Sequence, residues 1–209
     1  MIEGTQMIAK TRNPEATRAA ILDAAEKVFL EHGFSAAPMS RIADEAGVSK
    51  GLLHHHFESK VGLWREVKLR RFKVYSDRQM ELIRESEPEV DLLKTSMEEY
   101  FHFLQKNPEM VKILAWVFLE QDQDDCVELD RDLTHAGIER IREGQERGML
   151  RPDLNPGFIL FTFIGLCQHW FQDKAHVLDS MGLSSDSEAI DEAYLEDVTK
   201  IFFEGVLPR

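Results

Sequence analysis

Only two cysteines occur in the 209 residues of the sequence, and proline is scarce as well, with seven residues. Cys126 and Cys167 lie far apart and form no Cys-x-x-Cys pair, which argues against a disulfide framework and favours a reducing compartment. Free cysteine mostly packs as a small hydrophobic residue. We therefore expect packed thiols in preference to redox sensors.

Long apolar runs are also missing. No charged residue lies between Asp153 and Asp173, but polar residues and a proline shorten the apolar core of this segment to about 13 residues, whereas a bilayer span needs roughly 20. We expect a buried helix there and no association with a membrane. The first residues, MIEGTQMIAKTRNP, lack the apolar stretch of a signal peptide because Glu3 and Lys10 interrupt it. A cytoplasmic protein is the resulting prediction.

Basic residues are in the minority, and the net charge is −13. Their distribution is uneven: residues 1–73 hold 12 lysines and arginines against 9 acidic residues, whereas residues 74–209 hold 13 against 29. The two regions therefore differ in the partners that they can attract. Internal repeats are absent, and strand-like alternation of apolar and polar residues is almost absent, which predicts an all-α protein.

Helix boundaries are visible in the first 60 residues. Asn13 and Pro14 supply an N-cap and a proline at the first helical position, and Gly33 ends the helix that follows. Two short helices are predicted next, over 39–46 and 50–57. A pair of short helices joined by a glycine-containing turn, after a longer first helix, is the layout of a helix-turn-helix unit.

Three consecutive histidines lie in the third helix, in the stretch GVSKGLLHHHFESK. At about 100° per residue, Leu53 and Phe57 define the buried face and His55 points away from it, with the other two histidines on the flanks. Rings spread over about 200° cannot share one metal ion, because ligands on one helix need a spacing of three or four residues. The stretch also offers no partner to orient an imidazole as a general base. We predict neither a metal site nor a catalytic site; a merely exposed helix face is the simplest alternative.

The residues around the histidines favour contact with nucleic acid over that alternative. Lys50 begins the third helix, Lys60 follows its end, and Gly51 allows the backbone to approach a phosphate or a base edge. Imidazole can itself donate to phosphate oxygens or base acceptors.

Residues 17–67, TRAAILDAAEKVFLEHGFSAAPMSRIADEAGVSKGLLHHHFESKVGLWREV, resemble the N-terminal domain of the tetracycline-repressor (TetR) family of bacterial transcription regulators. The similarity includes the Ile-Leu-x-Ala-Ala run, the Phe-x-x-x-Gly-Phe corner and the Phe-x-Ser-Lys sequence that ends at residue 60. By this resemblance the third helix lies in the major groove of DNA. The residues that it implies as DNA contacts are Ser40, Ser49, Lys50, Gly51, Leu52, His54, His55, His56 and Lys60.

Three positions depart from the family's pattern. His54 stands where a DNA-contacting tyrosine is usual, Pro38 where a capping threonine is common, and Leu52 where a small residue is frequent. The resemblance therefore implies a second helix without a side-chain cap and a titratable ring in place of a phenol. From Leu52 it implies only apolar contact, for example with a thymine methyl group.

The remainder of the chain resembles the family only in layout. Apolar spacing and end signals predict further helices over 59–86, 89–106, 108–121, 125–148, 156–179 and 186–206. We place a DNA-binding domain at residues 1–58, with a flexible segment over 1–12, and a ligand-binding and dimerisation domain at residues 59–209.

The second domain has candidates for a ligand pocket and for a dimer interface. The pocket candidates are Met97, Phe101, Trp116, Phe118, Leu133, Phe161, Gly165 and His169. In the family the last two helices pair with their copies, and the helix predicted over 156–179 is apolar on more than one side, as such pairing requires. The interface candidates are Phe163, Leu166, Trp170, Tyr194, Val198, Ile201 and Phe202.

The sequence thus predicts a ligand-responsive, DNA-binding transcription regulator. In its most specific form the prediction is a repressor that binds a palindromic operator in double-stranded DNA as a homodimer and is released by a small, mostly apolar effector. The effector's identity stays open, and no other cofactor is expected. Two alternatives remain: a helical adaptor that binds a protein partner, and a helical enzyme that uses the histidines.

Overall fold

A computed structural model describes residues 13–85, 90–119, 127–183 and 187–208. These residues form nine α-helices and no strand, which confirms the all-α prediction. The helices are α1 (Pro14–Ala36), α2 (Met39–Glu45), α3 (Lys50–His56), α4 (Lys60–Glu85), α5 (Val90–Lys106), α6 (Pro108–Leu119), α7 (Val127–Glu146), α8 (Pro156–Ser180) and α9 (Glu188–Val206). The flexible segment predicted over 1–12 lies outside the described residues, as do the predicted helix ends at 86, 89, 120–121, 125–126 and 186. Within the described residues, no helix is both long enough and apolar enough to cross a membrane.

The ends of the long helices follow from local chemistry. Asn13 accepts a hydrogen bond from the Glu15 backbone N–H at 3.0 Å, and Asn155 accepts one from the Gly157 N–H at 2.8 Å. Each asparagine thereby satisfies an N–H group that has no partner within its own helix. Gly33 interrupts α1 with φ 74°, a left-handed conformation that glycine adopts without strain. The sequence prediction ended the first helix at this glycine.

The described chain divides into two compact units, one ending at Val67 and the other beginning at Lys68. The division falls inside α4, whereas the boundary predicted from the sequence lies at the start of that helix. In the first unit, Phe29 packs its ring against Trp64 at 5.0 Å between centroids, and Ile42 and Leu53 are buried with them. In the second unit the core is built mainly where α5, α8 and α9 meet.

A buried carboxylate lies within the core of the second unit. Asp191 of α9, 4% exposed, accepts hydrogen bonds from the Trp170 indole at 2.8 Å and from the Lys174 ammonium at 2.8 and 3.0 Å, both on α8. The Gln105 amide of α5 donates to the same carboxylate at 3.3 Å. The Trp170 ring also stacks on Tyr194, with centroids 4.0 Å apart. One aspartate therefore links three helices through charge-assisted hydrogen bonds.

The buried Cys167 gives a prediction about thiol chemistry. Its thiol donates a weak hydrogen bond to the Met97 carbonyl at 3.9 Å, and burial raises its pKa to about 12. Because the thiolate is the reactive species, we expect Cys167 to resist alkylation by iodoacetamide in the native protein and to react after denaturation. A Cys126→Ser variant isolates this thiol, since the sequence has only these two cysteines. Alkylation of the native variant at the rate of free cysteine would contradict the assignment of Cys167 as a packed, redox-inert residue.

Candidate functional site

The turn between α2 and α3 is built by a few backbone features. Gly47 has φ 62°, which lets the chain reverse tightly, and the Val48 N–H donates to the Ala43 carbonyl at 3.0 Å. Ser49 then caps α3, because its hydroxyl accepts a hydrogen bond from the Leu52 N–H at 3.1 Å. The capping bond of Ser49 therefore determines where α3 begins.

The faces of α3 divide as the helical spacing predicts. Leu53 is 1% exposed and belongs to the core of the first unit, and Phe57, just after the helix, is also buried. The rest of the helix presents exposed residues, and we call this set the α3 surface: Lys50, Gly51, His54 and His55. His56 is half-buried, with its ring 5.6 Å from that of His55 in an edge-on arrangement. Three hydrogen-bonding side chains therefore face solvent on one short helix.

The other predicted DNA contacts lie close in sequence to this surface. Ser49, its capping residue, is exposed, while Ser40 on α2 and Leu52 on α3 are half-buried. Pro38 precedes α2 without any side-chain hydrogen bond to the helix, as the sequence comparison implied. The Arg41 and Ile42 N–H groups donate to the Pro38 carbonyl at 3.0 and 3.3 Å, whereas those of Met39 and Ser40 receive no side-chain cap.

Lys60, the first residue of α4, is held by the end of α1. Its ammonium donates to the Ser35 carbonyl at 3.1 Å and lies 4.8 Å from the centre of the Phe34 ring. The preceding Ser59 caps α4 by accepting a hydrogen bond from the Gly62 N–H at 3.0 Å. The DNA contact of Lys60 stays a prediction.

Metal ligands do not cluster in the part of the chain that the structure describes: no group of three or more histidine, cysteine, aspartate or glutamate residues there could hold an ion. The α3 surface instead presents hydrogen-bond donors, namely the Lys50 ammonium and the imidazole N–H groups of His54 and His55. Lys50 also carries a positive charge.

The second unit contains a cavity of about 500 Å³ between α4, α5, α6, α7 and α8. This volume lies in the range of sites for small organic ligands. Most of its wall is apolar or aromatic. The polar residues in the wall are Tyr75, Gln79, Ser96, Tyr100, Thr134, Arg140 and Gln168. Two of them are bonded to each other, since the Gln168 amide donates to the Tyr100 hydroxyl at 2.5 Å.

The residues predicted for a pocket are dispersed by the structure. Leu133 and Phe161 line the cavity. Met97 and Phe101 are fully buried in the core outside its lining, because α5 turns them toward α8 and α9 rather than toward the empty space. The remaining candidates are not among the lining residues: Trp116 and Gly165 are half-buried, and Phe118 and His169 are exposed.

Most residues predicted for a dimer interface face the interior of the subunit. Phe163, Trp170, Val198 and Phe202 are all less than 9% exposed. Leu166 and Tyr194 are half-buried, and the Tyr194 hydroxyl donates to the Leu166 carbonyl at 2.9 Å. Only Ile201 is exposed, at 69%. The prediction is revised accordingly, because a second copy cannot cover side chains that their own subunit already covers.

A different apolar surface remains open on the same two helices. On α8 it contains Phe158 and Phe161, 72% and 76% exposed, and on α9 it contains Ile201. We call these three residues the α8/α9 apolar surface; Phe161 belongs both to this surface and to the cavity wall. Gly165 and Gly205, further along the two helices, have no atom within 4 Å of where a Cβ would lie. Large exposed apolar side chains beside open glycines are typical of surfaces that another molecule covers.

Comparison with known proteins bears on both halves of the chain. A family model described as bacterial regulatory proteins of the tetR family matches residues 21–67, and one for the tetracycline repressor-like C-terminal domain matches residues 97–199. The transcriptional repressor SCO4008 of Streptomyces coelicolor is 26% identical over 157 residues, which cover 74% of this chain and 78% of the relative.

Solved structures share the fold over almost the whole chain. NalD, the secondary repressor of the MexAB-OprM multidrug efflux pump in Pseudomonas aeruginosa, superposes with a TM-score of 0.69 at 24% identity and covers 93% of this chain and 98% of its own. AibR, in complex with isovaleryl coenzyme A and operator DNA, superposes with a TM-score of 0.67 at 16% identity and covers 88% and 97%.

Proposed function

The chain belongs to the TetR family of bacterial transcription regulators, and on this basis we propose that it is a repressor that binds a palindromic operator as a homodimer and leaves it when a small effector occupies the cavity. Family membership makes the chain a DNA-binding regulator rather than an enzyme that uses the histidines. The α3 surface is the observation that carries the proposal. It combines a capped helix, a glycine and three exposed donor side chains, on a helix that the turn at Gly47 leaves open to solvent.

The dimer is supported by the α8/α9 apolar surface. A single short helix reads few base pairs, so two copies on half-sites one helical turn apart are needed for tight and selective binding. The exposed Phe158, Phe161 and Ile201 are the side chains that we assign to contact between the copies. A twofold interface brings the same surface of each copy together, and an apolar patch is complementary to itself.

Effector response is supported by the cavity and by its walls. Phe72, Tyr75, Gln79 and Ile83 of α4 line it, and the same helix begins at Lys60, in the first unit. A ligand shifts the equilibrium between two conformations only by the difference between its affinities for them. We propose that an occupied cavity favours a position of α4 that is incompatible with operator binding. The neighbour AibR has been solved in complex with isovaleryl coenzyme A and operator DNA, so one protein of this fold has a site for a small ligand as well as for an operator.

Selection of bound duplexes from random DNA, followed by fluorescence anisotropy on the recovered sequence, tests this function. We expect an inverted repeat, with half-sites about one helical turn apart. If selection recovers no preferred sequence, or if the recovered duplexes bind no more tightly than random duplex, operator binding is ruled out. The remaining alternative, an adaptor for a protein partner, would then be favoured.

Two substitutions separate positioning contacts from sequence-reading contacts. Lys60→Ala should weaken binding to all duplexes and lower the steepness of log affinity against log salt concentration by about one. His55→Ala should reduce the binding free energy by roughly 1–3 kcal/mol, and only at the preferred site. Because Lys60 also bonds to the Ser35 carbonyl, Lys60→Arg is the control that keeps the charge. Equal losses on operator and random duplex for both alanine variants would contradict the division.

The histidines predict a dependence of operator binding on pH. Histidine changes charge between roughly pH 5 and 8, and neighbouring phosphates favour the protonated ring. Binding should therefore take up protons, and affinity for the operator should rise as pH falls from about 8 to about 6. His54→Tyr should remove part of this rise, because a phenol stays uncharged over that range. An identical pH profile for both proteins, at constant ionic strength, would exclude a contribution from His54.

A further inference from the structure

We propose that the ligand of the cavity is an apolar monocarboxylic acid whose carboxylate binds Arg140. This inference rests on the effector cavity of the proposed function and narrows the chemistry of the molecule that fills it. Of the lining residues that the structure describes, Arg140 alone carries a formal charge. A positively charged group in a mostly apolar wall selects ligands of the opposite charge.

The guanidinium of Arg140 is fixed by three hydrogen bonds to two residues. Its Nε and Nη2 atoms donate to the Ile83 carbonyl, in the last turn of α4, at 3.1 and 2.6 Å. Its Nη1 atom donates to a Glu143 carboxylate oxygen at 2.9 Å. These bonds employ three of the five N–H groups of the guanidinium and leave one on Nη1 and one on Nη2.

The two remaining N–H groups match a carboxylate. They belong to neighbouring nitrogens of a planar group, and a carboxylate accepts from such a pair with both of its oxygens. Because Ile83 and Glu143 already orient the plane, little conformational freedom is lost when the ligand binds. Arg140 is therefore poised as an anchor for one end of the ligand.

The charge around the site limits the anion to a single negative group. Glu143 already offsets part of the positive charge of Arg140, and its side chain is 47% exposed. Residues 74–209 carry 29 acidic residues against 13 basic ones. A polyphosphate or a nucleotide requires several cations at close range, which the described lining does not supply. One carboxylate is the anion that one partly neutralised arginine can hold.

The apolar part of the ligand has an extended space available. On each of α5, α7 and α8 the lining positions span about three helical turns, for example from Leu133 to Gly144 on α7, which corresponds to roughly 16 Å at 1.5 Å per residue. Aromatic rings form part of this wall, with Tyr75 stacked on Phe103 at 5.0 Å and near Tyr100 at 4.9 Å. Aliphatic and aromatic carbon skeletons can both pack there.

Isothermal titration calorimetry on the full chain, with matched pairs of an acid and an alcohol, tests the proposal. The pairs are decanoate with decanol and naphthoate with naphthol. We expect at least one acid to bind roughly tenfold or more tightly than the alcohol of the same skeleton, since a hydrogen bond to a charged group is stronger than one to a neutral group. Arg140→Met should abolish that difference and leave alcohol binding intact, which also shows that the variant is folded.

Glu143→Gln distinguishes an anchoring role from a structural one. Removal of the competing carboxylate should tighten acid binding several-fold and leave alcohol binding unchanged. If Arg140 served only to cap α4, neither ligand class would respond to this substitution. Three results would overturn the proposal: alcohols that bind as tightly as the acids, Arg140→Met losing both classes equally, or no saturable binding of either acid.

The operator complex separates this inference from the proposed function. An acid that binds in the Arg140-dependent manner but leaves the operator complex intact would refute effector release and support the ligand chemistry. Release of the operator by decanol or naphthol, without Arg140-dependent binding of their acids, would refute the ligand chemistry and support effector release.

Discussion

Replacement of Asp191 by alanine should lower the free energy of unfolding by about 3–5 kcal/mol, the range for a buried ion pair that loses one partner. The Lys174 ammonium would lose its carboxylate, and the indole N–H of Trp170 would be left without an acceptor inside the core. Charge and hydrogen-bond donors would both remain behind, unsatisfied. Chemical denaturation at a fixed protein concentration measures the loss, because the stability of an oligomer depends on concentration.

The neighbouring acidic residue provides the matched control. Glu192 is exposed and lies 3.1 Å from the His102 ring nitrogen, so Glu192→Ala should cost less than about 1 kcal/mol. A double variant, Asp191→Leu with Lys174→Met, should recover the part of the loss that comes from the unpaired ammonium, because apolar residues of similar size can replace a buried ion pair, whereas the Trp170 indole stays without its acceptor. Similar losses for Asp191→Ala and Glu192→Ala would show that the buried network contributes no more than a surface contact.

If the proposed homodimer forms through the α8/α9 apolar surface, Ile201→Glu should convert it into a monomer, with a rise in the dimer dissociation constant of about two orders of magnitude or more. Within one chain this position is 69% exposed, so a carboxylate there is solvated and the subunit should fold normally. In the dimer each copy would bring an uncompensated charge into an apolar contact. Sedimentation velocity over a range of concentrations measures the change directly.

The same substitution at two other positions shows whether loss of the dimer requires a charge in the α8/α9 apolar surface. Val74 of α4 is also apolar and 71% exposed, and Val74→Glu should leave assembly unchanged if the α8/α9 apolar surface forms the interface. Phe202 follows Ile201 but is 4% exposed, so Phe202→Glu should destabilise the subunit itself. If Ile201→Glu is still a dimer at micromolar concentration, the interface lies on another part of the molecule.

The features that could be read from the sequence are local ones. The N-cap at Asn13, the tight turn at Gly47 and the missing cap at Pro38 each depend on residues within a few positions. The same holds for α3, where a period of 3.6 residues separates buried Leu53 from the exposed histidines. The short range of these interactions makes them predictable, because the tertiary structure has little opportunity to override them.

The parts that escaped prediction depend on which helix face turns inward. Helix α8 is apolar on more than one side, and periodicity alone cannot decide between Phe163, which is buried, and Phe158, which is exposed. Arg140 lies in the charged stretch ERIREGQERG, where it resembles any surface residue; only the end of α4, distant in sequence, gives it a role. Asp191 was hidden in the same way, since its partners come from α5 and α8.

The aromatic packing of the two cores has a consequence for spectroscopy. Trp64 lies against Phe29 in the first unit, and Trp170 lies on Tyr194 in the second, so each unit holds a buried indole of its own. The third tryptophan, Trp116 on α6, is half-buried. Indole emission shifts to the red when the ring becomes hydrated. With Trp116 and Trp170 replaced by phenylalanine, the emission of the chain reports only on the unit that carries α3, and the loosening of that unit can be followed separately from the rest of the molecule.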